Sequence, residues 1–170
     1  KMVTAEISAA ITPHVFKQWK TQEKTGHKDL SEEYQLIELF NFSFVMSISI
    51  LSLFSVDIVK LLFNEIYFDV WIIFPIICLA YYSRFLYNLS SIALLYKKKT
   101  GVITMITIYS GIINIILNLI FIPIYGIIAA AITTSISFFL TYVFAVYYSR
   151  NIKNKVLLEN KRIHIFAIYL

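Results

Sequence analysis

Apolar residues in this chain are gathered into long runs, and charged residues fall between them. Four runs are long enough to cross a hydrocarbon core about 30 Å thick, which takes roughly 20 helical residues. They are Leu36–Val56, Val70–Leu95, Val102–Ile122 and Gly126–Tyr148. Shorter apolar segments, Met2–Phe16 and Ile163–Leu170, flank them. The pattern predicts an all-α polytopic membrane protein with about four full transmembrane helices and a partial one at each end. A half-span would leave backbone groups unpaired in lipid. The expectation is therefore that residues 1–170 are an internal piece of a larger, transporter-sized protein, with both ends falling inside spans.

The charges between the runs alternate in kind. Lys17, Lys20, Lys24 and Lys28 follow the first partial segment, Lys97, Lys98 and Lys99 follow the second full run, and Arg150, Lys153, Lys155, Lys161 and Arg162 follow the fourth. The alternate loops, Asp57–Asp69 and Pro123–Tyr125, hold only Lys60. Basic loops stay on the cytoplasmic side of a membrane. The expected location is a bacterial inner (plasma) membrane, crossed several times, with the basic loops cytoplasmic. Asp29 and Glu32 are spaced to start a helix leading into the first full run. Trp19 and Tyr34 suit the headgroup level.

Composition supports the same class. Of 170 residues 59% are hydrophobic and 15% charged, and the mean hydropathy is +0.74. Soluble domains are about half apolar. The net charge of +5 would suit nucleic acid, but these cations sit in short loops between apolar runs, so no nucleic-acid partner is expected. Cys78 is the sole cysteine and lies within a run. His14, His27 and His164 are scattered, and the four glycines form no phosphate loop. No Ser-His-Asp set is arguable from the many serines. Neither metal nor cofactor is expected, nor enzymatic activity.

One apolar run keeps unexpected polar residues. Asn114 and Asn118 lie one helical turn apart on one face. Pro123 and Gly126 then mark a tight hairpin, proline ending one helix and glycine permitting the turn into the next. Ala129, Ala130, Ala131, Thr133, Thr134, Ser135 and Ser137 follow, small side chains that let helices approach closely in lipid. An amide facing lipid is costly, so the asparagines should either bind a neighbouring helix or contact a substrate in a cavity.

This stretch resembles the C-terminal half of polysaccharide (O-antigen type) flippases, in the multidrug/oligosaccharidyl-lipid/polysaccharide exporter superfamily. The shared features are Asn114, Asn118, Ile122-Pro123, Tyr125-Gly126, Ala130-Ala131, Thr134 and Ser137. The chain departs from the family pattern at Ala129, usually Gly, and at Thr133, usually Ala. Ala5–Trp19 is similar to the end of the second helix of the family's C-terminal lobe, and Val56–Asp69 to an outer turn, with Asp57 and Asn64 at variable or altered positions. The resemblance implies part of one lobe of a two-lobed helical transporter. The two lobes would open a central cavity to each membrane face in turn. The implied substrate is a polyprenyl-diphosphate-linked oligosaccharide for O-antigen or capsule biosynthesis. The implied partners are that substrate, membrane lipids and polysaccharide assembly proteins.

Arg84 is the basic residue deep within a full run, with Tyr81, Asn88 and Ser91 on its face at helical offsets. A mid-span arginine costs on the order of 3 kcal/mol or more, so it faces a cavity or a partner. A guanidinium suits the oxygens of a diphosphate. The competing readings are a structural partner, such as an acid or carbonyls on a neighbouring helix, and snorkelling to the interface. Glu6 and Glu38 lie in or near runs and are candidate partners for Arg84 or for a coupling ion. The candidate cavity residues are Arg84, Asn88, Ser91, Asn114 and Asn118.

Two other functions compete. A cation-coupled multidrug antiporter of the same superfamily would prefer an acidic cavity. A membrane-embedded polysaccharide polymerase or glycosyltransferase needs catalytic polar residues at a membrane face, commonly in a sizeable outer loop. The outer loops here are about 13 and 3 residues.

Overall fold

The computed structural model describes residues 11–17, 19–21 and 31–150. Among them every regular element is a helix. Helical turns at 11–17 and 19–21 form α1. Then come α2 (Ser31–Leu53), α3 (Ser55–Leu62), a 3-10 helix (Glu65–Ile72), α4 (Ile73–Tyr96) and α5 (Thr100–Arg150). Two helical stretches, Val70–Tyr96 and Thr100–Ser149, are long and apolar enough to cross a membrane, or three if the bent pair α2–α3 counts as one. This fits a membrane protein. The segments 2–10 and 163–170, and Asp29 as a helix start, lie outside the described residues.

The first run ends earlier than its hydropathy suggests. α2 stops at Leu53, and α3 leaves it at an angle of 64°. The break sits at Phe54, whose backbone (φ −91°, ψ 12°) leaves the α-helical basin. In α3, Ser55 and Val59 lie one turn apart and are buried, while Lys60, Leu61 and Leu62 face outward. Asn64 then caps the 3-10 helix by accepting the Glu65 backbone N–H at 2.7 Å.

α4 is the central helix. Fourteen of its 24 residues are buried, and between Tyr82 and Leu94 only Arg84 and Asn88 escape full burial. A helix apolar on all sides needs neighbours on all sides. α1 supplies Ile11, Val15 and Trp19 to the shared core, α2 supplies Ile37, and α5 supplies Ile106, Tyr142 and Ala145. Phe44 of α2 stacks on Phe85 at 4.8 Å. Phe16 and Trp19 meet Tyr96 edge-on at 5.3 and 4.9 Å. Such ring pairs add about 0.5–1.5 kcal/mol each beyond the area they bury.

α4 ends in a Schellman turn. Lys99 N–H returns to the Leu94 carbonyl and Lys98 N–H to the Leu95 carbonyl, both at 2.9 Å. The residue between cap and exit, Lys98, takes the left-handed conformation (φ 55°), where glycine is the usual occupant.

α5 holds 51 residues, about 76 Å if straight. It is not straight. Gly126 has φ 63° and ψ −143°, outside any helical basin and open to glycine alone. The two arms, 100–125 and 127–150, fold back on each other there, as the Thr133–Asn118 hydrogen bond requires. Fifteen residues of unbroken helix would hold these two about 22 Å apart. The expectation that proline ends the first arm is corrected. Pro123 lies inside the helix, and the chain turns at Gly126 instead. Near a helix end few turns remain for a proline to disrupt, whereas reversal demands a conformation that only glycine reaches at low cost.

The arms of α5 pack on opposite senses of α4. Tyr87 approaches Thr107 of the first arm (3.5 Å between hydroxyls). The Ser135 hydroxyl of the second arm donates to the Ile76 carbonyl at 2.8 Å. The second arm runs parallel to α4, since Ile76 meets Ser135 and Tyr81 meets Phe138.

Candidate functional site

The second arm of α5 can lie close because of its side chains. Ala129, Thr133, Ser137, Thr141, Ala145 and Ser149 recur every four residues and all are buried. Small residues at this spacing let backbones approach in lipid. The hydroxyls of Ser137, Thr141 and Ser149 are turned back onto the helix. Ser137 donates to the Thr133 carbonyl at 2.8 Å and Thr141 to the Ser137 carbonyl at 2.7 Å. The sequence reading ended this block at Ser137; in the structure it continues three turns further.

Arg84 is half-buried on α4. Its guanidinium carbon lies 4.9 Å from the centre of the Tyr87 ring and 5.6 Å from that of Phe138. Tyr81 meets the same Phe138 ring edge-on at 6.3 Å. Arg84 therefore sits among aromatic rings of α4 and the second arm. Among the described residues no carboxylate pairs with it. Glu38 is half-buried on α2, and Glu6 lies outside the described residues. A cation over an aromatic face gains about 0.5–2 kcal/mol, more as water is excluded.

The rest of the α4 stripe divides. Asn88 is half-buried, whereas Ser91 is buried and donates to the Asn88 carbonyl at 2.8 Å. That hydroxyl is spent on its own helix.

Asn114 and Asn118 form a chain of hydrogen bonds. Asn118 Nδ2 donates to Asn114 Oδ1 at 3.0 Å, and the Thr133 hydroxyl donates to Asn118 Oδ1 from the opposite arm. The same hydroxyl lies 3.1 Å from the Ala130 carbonyl. The sequence reading named the amides but not their partner. The signal was present, since residues 118 and 133 lie at nearly equal distances on either side of Gly126. It needed the turn position to be usable. Asn41 and Tyr82 form a second buried pair, tyrosine hydroxyl to amide oxygen at 3.3 Å, linking α2 to α4. Neither is among the candidate cavity residues.

Two open grooves run along α5. One, about 380 Å³, lies between α4 and the second arm, where Tyr82, Ser83, Ser135 and Tyr142 supply hydroxyls among leucine, isoleucine and phenylalanine. The other, about 310 Å³, lies in the mouth of the hairpin between Leu117, Phe121, Tyr125 and Ile132. None of the five candidate cavity residues lines either groove. The structure joins Asn114 to Asn118, and Ser91 to Asn88, but the contacts of Arg84 and those of the asparagine pair share no residue. Among the described residues no three His, Cys, Asp or Glu side chains converge. Compared with family models, with curated proteins and with solved structures, the chain finds no match.

Proposed function

We propose that this chain is part of one lobe of an alternating-access transporter that moves a polyprenyl-diphosphate-linked oligosaccharide across the inner membrane. The observation that carries the reading is Arg84, a half-buried cation in an apolar helix set against aromatic rings with no carboxylate partner among the described residues. Ring contacts occupy the faces of a guanidinium and leave N–H groups at its edge for phosphate oxygens. The sequence resemblance supplies the substrate class. In this reading the two arms of α5 are separate spans, which with α2 and α4 makes four. The end carrying Lys97–Lys99 is cytoplasmic. The asparagine pair then acts as interhelical glue, because its hydrogen bonds run to Thr133.

The test is polymer export measured beside membrane protein level. Arg84→Ala should abolish most export while the protein stays inserted, and Arg84→Lys, which keeps the charge without the planar fork, should retain part of it. Normal export from a well-expressed Arg84→Ala variant defeats the proposal. Loss of protein in step with loss of export assigns Arg84 a structural role.

A further inference from the structure

We infer that the groove between α4 and the second arm of α5 binds an uncharged hexose ring of a membrane-anchored glycan. The inference rests on reading the chain as a carrier of lipid-linked oligosaccharide, and it assigns the class of sugar. The groove runs beside residues 79–86, midway along α4, and holds about 380 Å³. Small-molecule sites span about 300–1,000 Å³. Its hydroxyls come from Tyr82, Ser83, Ser135 and Tyr142. Polar groups this deep in a span are costly against hydrocarbon and mark a path for something polar.

The hydrogen bonds decide what these hydroxyls offer. Ser83 donates to the Leu79 carbonyl at 3.1 Å, Ser135 to the Ile76 carbonyl at 2.8 Å and Tyr82 to the Asn41 amide oxygen at 3.3 Å. A hydroxyl has one proton to donate and two lone pairs that accept. These three have committed their protons and keep lone pairs, so the groove calls for a ligand that donates. A carboxylate is itself acceptor-only and would set lone pairs against lone pairs. An ammonium needs an acid to balance it, and none of the residues lining the groove is charged. A neutral polyol donates without bringing a charge. Phe139 narrows the class to a ring. It lines the groove, is 53% exposed and lies 6.3 Å from Tyr142 between ring centres. The face of an aromatic ring is its negative side, so the C–H face of a sugar ring stacks on it. Arg84 does not line the groove, so sugar and diphosphate occupy separate sites.

A photoreactive alkyl glucoside, with its diazirine beside the glycosidic oxygen, tests this on the chain in phosphatidylcholine nanodiscs. Mass spectrometry should map the label to the groove, at Leu79 and Phe139, and excess octyl glucoside should displace it. Octyl glucuronide, octanol and free glucose should each compete roughly tenfold less well, since each lacks one element of the match. Ser83→Ala and Ser135→Ala should each weaken labelling about two- to tenfold, the range of one hydrogen bond. Leu79→Trp fills the groove while keeping every hydroxyl and should abolish labelling, with helix content by circular dichroism unchanged. Competition by octanol equal to that by octyl glucoside would make the groove a seat for lipid tails and overturn the inference. Equal competition by octyl glucuronide, or labelling that survives both serine changes, overturns the choice of an uncharged donor. Equal competition by free glucose overturns the membrane-anchored source. Competition in the unsubstituted chain decides even if a variant fails to fold. The assay involves no export, so its outcome stands apart from that of Arg84→Ala on export, and the two readings fail separately.

Discussion

The hydroxyl of Thr133 donates to the amide oxygen of Asn118 across a chain reversal at Gly126. Asn118 in turn donates to Asn114 at 3.0 Å. One small side chain therefore closes the α5 hairpin and joins both amides into a chain of hydrogen bonds that reaches the opposite arm.

Replacing Thr133 with valine keeps the shape and removes the bond. Interhelical hydrogen bonds in membranes average about 0.6 kcal/mol and reach about 1.7. We expect Thr133→Val to lower unfolding stability in detergent by roughly that range. In a double-mutant cycle Asn118→Leu should show coupling of similar size with it. Additive effects would mean that the bond contributes nothing.

Gly126→Ala meets no steric obstacle, since nothing lies within 4 Å of the added Cβ. Its cost is the backbone conformation alone, of order 1–3 kcal/mol. The arms should then splay or straighten. Spin labels at Leu119 and Ile132, both exposed, should report about 10 Å between packed arms and roughly 20 Å in a continuous helix. An unchanged distance in the variant would show that packing, not Gly126, sets the hairpin.

Ala145 has 0% exposure, whereas Ala130 is half-buried. Enlarging a packed position costs typically 1–3 kcal/mol. Ala145→Leu should therefore lower the melting temperature markedly and Ala130→Leu much less. The reverse order would place lipid, not protein, against the Ala145 stripe.

Lys98→Gly should stabilise the α4–α5 turn, because glycine enters the left-handed basin freely while other residues lose about 1 kcal/mol there. Thermal unfolding of the variant in neutral detergent checks it. A lower melting temperature would mean that the Lys98 side chain stabilises the fold directly.

Cys78 is buried and unpaired, so it gives little background in labelling. In intact cells an impermeant maleimide should modify Asn64→Cys and spare Lys98→Cys. Both residues are exposed. Labelling at 98 but not at 64 would invert the orientation.

By itself the sequence determined the helical class and where long apolar helices lie. Those depend on local hydropathy and on the obligation of each backbone group to bond within its own helix in lipid. The runs Val70–Leu95 and Gly126–Tyr148 match the helical stretches to within a few residues. The turn near Pro123–Gly126 was also legible, because its two special residues are written in the chain. The turn falls at Gly126, the residue expected to permit it, whereas Pro123, expected to end the first arm, lies inside the helix, since proline's cost depends on how much helix remains beyond it. The partners of side chains were decided by tertiary structure alone. Asn118 acquires Thr133, Arg84 acquires Phe138, and Asn41 acquires Tyr82 only when helices cross at particular heights and rotations. The stripe from Ala129 to Ser149 shows the same division. Its small residues can be counted in the sequence, but that all six are buried follows from the helices that meet them, the first arm of α5 at Thr133 among them, since an alanine is equally compatible with lipid until a neighbouring helix arrives.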